Sequence, residues 1–91
     1  MLSRDQWMKT EPSVVFDVFV EECTALQAVY AALVNQFPNE RDDYIELSLE
    51  LDEYRHAIPW NNKAQQVEAI HNLREKKREL VPQINYGLTS V

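Results

Sequence analysis

The chain has 91 residues, 45% of them apolar, and a formal net charge of −6 at pH 7. This length suffices for one domain with a small core, and the apolar content is too high for an intrinsically disordered chain. The acidic balance argues against tight nonspecific binding of nucleic acid, which depends on neutralising phosphates with Lys and Arg.

Prolines divide the sequence, and glycine is almost absent. Because proline cannot continue a helix interior, the four prolines delimit a short leader, three long helical segments and a tail. In the leader, Ser3 and Gln6 have the spacing of a capping box, which predicts a short helix over residues 3–9.

The first long segment has the clearest helical pattern. Its apolar residues alternate spacings of three and four, which predicts an amphipathic helix over residues 11–37, about 40 Å long. Such a helix would overhang a globule with a radius of gyration of about 12 Å. Polar residues interrupt the segment, so we do not expect it to cross a membrane. The apolar seam consists of Phe16, Phe19, Cys23, Leu26, Tyr30, Leu33 and Phe37.

A second face of this helix has small side chains that would let another backbone approach closely. Either a central helix contacts both of the others, or the chain forms a homodimer with a self-complementary interface. The overhang and the small core favour the homodimer. The predicted dimer interface consists of Val18, Ala25, Ala28, Val29 and Ala32.

The second long segment fits two patterns. Residues 44–51 alternate apolar and polar side chains, which is typical of a strand, but the segment also has a helical seam. We favour a helix over residues 40–58, because Leu and Glu are strong helix formers and no hairpin turn lies nearby. The seam consists of Tyr44, Leu47, Leu51, Tyr54 and Ile58.

An acidic strip follows one side of this second helix. Asp43, Glu46, Glu50 and Glu53 are spaced by three and four residues, so we expect them to line one face. Such a strip suits a protein partner with a basic surface, although an ordinary solvated face gives the same pattern.

The third segment predicts a helix over residues 62–81, followed by a loosely ordered tail over residues 82–91. Its basic run, Arg74, Lys76, Lys77 and Arg78, is interleaved with glutamates and has no aromatic residues for stacking on bases. We therefore interpret the run as a solvated helix end and do not expect nucleic-acid binding.

Two Glu-x-x-His pairs resemble the ligand spacing of di-iron carboxylate bundles, in which such pairs point inward. The pairs are Glu53 with His56 and Glu68 with His71. In both helices the apolar seam places the pair toward the outside, so we expect no metal or other cofactor.

Together, the sequence predicts an all-α domain over residues 1–91, an antiparallel three-helix bundle with a short N-terminal helix. Phosphate loops, Cys-x-x-Cys pairs and nucleophile elbows do not occur in the sequence, so we do not expect an enzyme. The single cysteine, Cys23, excludes an intrachain disulfide and, with no secretory signal in view, favours the cytoplasm. The predicted function is a protein–protein interaction module, such as an adaptor, inhibitor or regulatory subunit. The alternatives are a dinuclear metal protein and a nucleic-acid regulator acting through the third helix.

Overall fold

The computed structural model describes the backbone of residues 4–89 and the side chains of residues 5–84. Within these residues the secondary structure is helical, with no strand, so the all-α prediction is confirmed. Residues 44–51, which also fitted a strand, lie within a helix. The elements are α1 (Arg4–Lys9), α2 (Pro12–Gln36), a 3₁₀ turn (Pro38–Glu40), α3 (Arg41–Ala57) and α4 (Lys63–Thr89).

Helix α2 begins at Pro12 and ends at Gln36, two residues before Pro38. Pro12 occupies the first turn, where its missing N–H costs nothing, and Glu11 before it has an extended backbone. At the other end Phe37 N donates to the Leu33 carbonyl, and Pro38 then ends the helix. The predicted seam is the buried face of this helix. Its buried residues are Val15, Phe19, Cys23, Leu26, Val29, Tyr30 and Leu33.

Helix α2 lies between α3 and α4, and those two outer helices scarcely contact each other. Helix α3 is antiparallel to α2, and Gln27 Nε2 donates to the Ser48 carbonyl between them. Helix α4 is parallel to α2, because Glu22 pairs with Arg74 near the middle of α4 and Gln36 bonds farther along it. The Cα atoms extend over 45 × 25 × 14 Å, so the molecule is flat.

A closed three-helix bundle is therefore not confirmed. The physical reason lies in α3, which buries one residue, Leu51. Polar side chains, Glu50 on α3 and Asn72 and Lys76 on α4, stand where the two outer helices would otherwise meet. A helix with so little buried apolar surface packs on α2 alone.

Helix α4 continues through Pro82 to Thr89, whereas the sequence predicted that the helix ends at residue 81 and a tail follows from residue 82. A proline inside a helix costs about 3 kcal/mol. Leu80, Val81 and Ile84 offset this cost because they pack against the core, and Gln36 Nε2 donates to the Gln83 carbonyl. Residues 90 and 91 lie outside the described backbone.

The short helix α1 is attached to α4. The Trp7 side chain is buried in the core, and the Arg74 guanidinium lies 5.6 Å from the centre of its ring. Lys63 Nζ donates to the carbonyls of Met8 and Thr10. A helix of six residues is too short to be stable alone, so these contacts with α4 hold it.

Candidate interaction surfaces

The acidic strip lies on the exposed side of α3, where Asp43, Glu46, Glu50 and Glu53 are all exposed. The first three, with Leu47, line a shallow depression of about 300 Å³, whereas Glu53 lies beyond it. No cationic group on residues 5–84 is within ion-pair distance of these four carboxylates. The negative charge of the strip is therefore not neutralised by ion pairs with the described residues, and it faces solvent.

An apolar groove runs beside the strip, between α3 and α4 and over α2. Its volume is about 490 Å³, and Glu50 belongs both to the groove and to the acidic strip. Tyr54 is 37% exposed at its edge, and Lys76 stands on the opposite edge. The groove is lined by Leu26, Tyr30, Leu47, Glu50, Leu51, Tyr54, Asn72, Leu73 and Lys76.

The floor of the groove is uncharged. Leu26, Leu51 and Leu73 are buried beneath it. Burial, and to a smaller extent the Glu50 carboxylate, raises the pKa of Tyr30 above its usual value, so its phenol is neutral at physiological pH. The groove therefore combines an apolar floor with one acidic edge, which is chemically suited to an amphipathic segment.

The basic run of α4 is partly used inside the molecule. Arg74 Nε lies 3.2 Å and Lys77 Nζ 3.3 Å from the two carboxylate oxygens of Glu22 on α2. Lys76 and Arg78 are exposed. Because two of the four cations are bound to Glu22, the run does not present a continuous basic stripe to a phosphate backbone.

The two Glu-x-x-His pairs lie on different helices. Glu53 and His56 are exposed on α3, and His56 Nδ1 donates to the Asp52 carbonyl at 2.8 Å. On α4, Glu68 is exposed and His71 is half-buried. Among the described residues, no three His, Cys, Asp or Glu side chains converge as a metal site requires. The two pairs thus do not come together as one site in the described part of the chain.

Cys23 lies in the core, where it is 1% exposed. Burial raises the pKa of the Cys23 thiol above its usual value; the charge of Arg55 opposes this increase to a smaller extent, and that of Glu22 adds slightly to it. A thiol that stays protonated and shielded from solvent is a poor nucleophile. Its environment is that of a small apolar core residue.

The predicted dimer interface is only partly accessible. Val29 is 9% exposed, and Val18 packs against the core. Ala28 is exposed, and Ala25 and Ala32 are half-buried. The overhang that favoured a dimer is also absent, because α4, with 27 residues, is as long as α2, with 25.

The homodimer stays a prediction with a direct test. If Ala25, Ala28 and Ala32 pack against a second copy, light scattering at micromolar concentration should give twice the mass of one chain. Ala28→Glu should return that mass to one chain, because it places a charge at the close contact. A monomeric mass at every concentration would eliminate the dimer.

Sequence reasoning missed an aromatic surface at the junction of α3 and α4. Trp60 is 75% exposed there, and Phe16 of α2 lies beside it. The signal in the sequence was a tryptophan between Pro59 and a pair of asparagines, a composition typical of a loop. An exposed tryptophan is uncommon, and tryptophan is enriched among the residues that dominate binding energies.

The chain was compared with protein families, curated proteins and solved structures. No family model, curated protein or solved structure matches this chain. In the part of the chain that the structure describes, none of the helices has the combination of length and apolarity needed to cross a lipid bilayer.

Proposed function

We propose that this protein is a non-enzymatic, helical protein–protein interaction module, of the kind found in adaptors, inhibitors and regulatory subunits. Its partner supplies an amphipathic helix that lies in the groove between α3 and α4, with basic side chains toward the acidic strip. The observation that carries this proposal is the open groove itself, which has an apolar floor and an acidic edge without ion pairs.

Packing supports a helical occupant. Helices α3 and α4 both pack on α2 and leave the space above it unfilled, so a partner helix would complete a four-helix arrangement with α2, α3 and α4. Leu47 and Tyr54 retain exposed apolar surface at the groove edge. An added helix would cover that surface with residues spaced three and four apart, as in other helix-in-groove complexes.

Charge supports a basic edge on that helix. Like charges spaced by three or four residues on a helix cost a few tenths of a kcal/mol per pair. The acidic strip bears this cost with no compensating ion pair among the described residues. Cationic side chains of a partner would relieve the repulsion and be attracted over a Debye length of about 8 Å at physiological salt.

Charge reversal tests the proposal. The probe is a synthetic helical peptide with leucines three and four residues apart and lysines along one edge. We expect Glu46→Lys combined with Glu50→Lys to slow its association at least about tenfold at low salt, because electrostatic steering is lost. The difference should shrink as salt is added. Stopped-flow kinetics measure the rate, and far-UV circular dichroism checks that the helix content is unchanged.

A matched control separates the strip from net charge. Glu75→Lys with Glu79→Lys has the same spacing and the same charge change on exposed residues of α4. This control should leave the association rate within about twofold, since neither residue lines the groove. Equal slowing by both double variants would show a response to net charge alone and would refute the groove as the binding site.

A further inference from the structure

The Trp60 side chain is exposed, and the backbone that carries it is anchored. It lies in the loop between α3 and α4, and Gln66, itself 1% exposed, anchors that loop. Gln66 Nε2 donates to the Pro59 carbonyl at 3.0 Å and to the Trp60 carbonyl at 2.7 Å. Because the loop backbone at Trp60 is fixed by these bonds, little backbone entropy remains to be lost when a ligand binds there.

Trp60 forms one wall of a cavity of about 650 Å³ on the surface. Phe16 supplies a second aromatic ring, and Asp17 supplies a carboxylate that forms no ion pair with residues 5–84. The lining contains no cationic side chain. The cavity is lined by Pro12, Ser13, Phe16, Asp17, Trp60 and Asn61.

Elsewhere in the molecule, a tryptophan and a carboxylate together contact an arginine. The Arg74 guanidinium lies over the Trp7 ring at 5.6 Å, and Arg74 Nε is 3.2 Å from a Glu22 carboxylate oxygen. Trp7 and Glu22 thus hold an arginine between a ring face and a carboxylate. Trp60 and Asp17 supply the same two kinds of group, an indole ring and a carboxylate, to the lining of the cavity.

We propose that the cavity between Trp60 and Asp17 binds an arginine side chain of a partner protein. A planar guanidinium stacks on an aromatic face and donates in-plane hydrogen bonds to a carboxylate, which the ammonium of lysine does less well. The net charge of −6 also favours a cationic occupant. This site is separate from the groove between α3 and α4, with which it shares no residue.

One neighbouring cation bears on the site. Arg55 and His56 line a smaller depression on another side of Phe16 and Trp60. Arg55 is exposed, and it does not line the cavity with Asp17. Its charge opposes a second cation weakly, so Arg55→Gln should leave the affinity for arginine unchanged or raise it slightly.

Nuclear magnetic resonance of the whole chain tests the proposal, because the indole N–H signals of Trp7 and Trp60 report on each ring separately. The probes are acetyl-arginine methylamide, its neutral counterpart with citrulline, and acetyl-leucine methylamide. We expect the arginine probe to shift the Trp60 signal saturably and the citrulline probe to bind about fivefold more weakly. Trp60→Ala should abolish the shifts of the Phe16 and Asp17 backbone amides.

A matched pair of variants tests the carboxylate. Asp17→Asn should weaken the arginine probe about threefold at low salt, whereas Glu21→Gln, the same charge change one turn away on α2, should have no effect. Equal binding of arginine and citrulline, or an equally large shift with the leucine probe, would overturn the proposal in favour of a merely apolar pocket. An unshifted Trp60 signal would also overturn it.

The outcome is independent of the proposed function. The variant Glu46→Lys with Glu50→Lys should retain the Trp60 shift with the arginine probe, because neither residue lines this cavity. A helical peptide that fails to bind would refute the groove, and an arginine probe that fails to shift Trp60 would refute this site.

Discussion

Leu33→Ala should lower the free energy of unfolding by about 4 kcal/mol, whereas Leu49→Ala should change it by less than about 0.5 kcal/mol. Both substitutions remove the same side-chain atoms, and both positions lie within a helix and away from its ends. Leu33 is 0% exposed on the central helix α2, and Leu49 is 63% exposed on α3. Leu33→Ala leaves a cavity that α3 and α4 cannot fill without moving. Leu49→Ala removes apolar atoms that are already in contact with water, so it leaves no cavity.

Urea unfolding followed by far-UV circular dichroism measures both effects. A loss of about 4 kcal/mol is a large part of the 5–15 kcal/mol that stabilises a typical domain, so the Leu33→Ala midpoint should fall well below that of the unaltered chain. Similar midpoints for the two variants would contradict the placement of α2 at the centre of the fold.

Glu22→Gln should lower the free energy of unfolding by about 2 kcal/mol, the second largest effect that we expect. The Glu22 side chain is 12% exposed and pairs with Arg74 and Lys77, which are 26% and 33% exposed. The neutral amide cannot balance these two cations. Their partial exposure lets water compensate in part, so the loss stays below that of a fully buried ion pair.

The adjacent residue provides the control. Glu21→Gln removes the same charge from an exposed position that has no ion pair with residues 5–84, so it should change the stability by less than about 0.5 kcal/mol. Raising the salt concentration should reduce the difference between the variants only slightly, because Glu22 is shielded from solvent. Equal stability of the two variants would show that the contact between Glu22 and α4 is dispensable.

The exposure of the acidic strip follows from weak packing of α3. One buried residue, Leu51, anchors this helix, while Tyr44, Leu47 and Ile58 add further apolar contacts. With so few apolar residues, α3 offers too little surface for α4 to pack against it. The groove between α3 and α4 thus remains open because α3 has many charged residues and few apolar ones.

The helical content and the start and end of α2 were predictable because both are local properties. Spacings of three and four identified its buried face, and Pro12 and Pro38 marked its limits without reference to any other part of the chain. The acidic strip was predictable for the same reason, since Asp43, Glu46 and Glu50 share a face of any helix that contains them.

Tertiary structure alone decided what each face meets. Periodicity identifies an apolar face but not the element that covers it. The sequence therefore placed Val29 at a dimer interface, whereas in the folded chain Val29 is already a buried residue of α2. Glu22 pairs with α4, the helix through Pro82 is held by contacts with the core and α2, and the space between α3 and α4 stays open. Each depends on groups that are far apart in sequence, and their distances are set by how the helices pack.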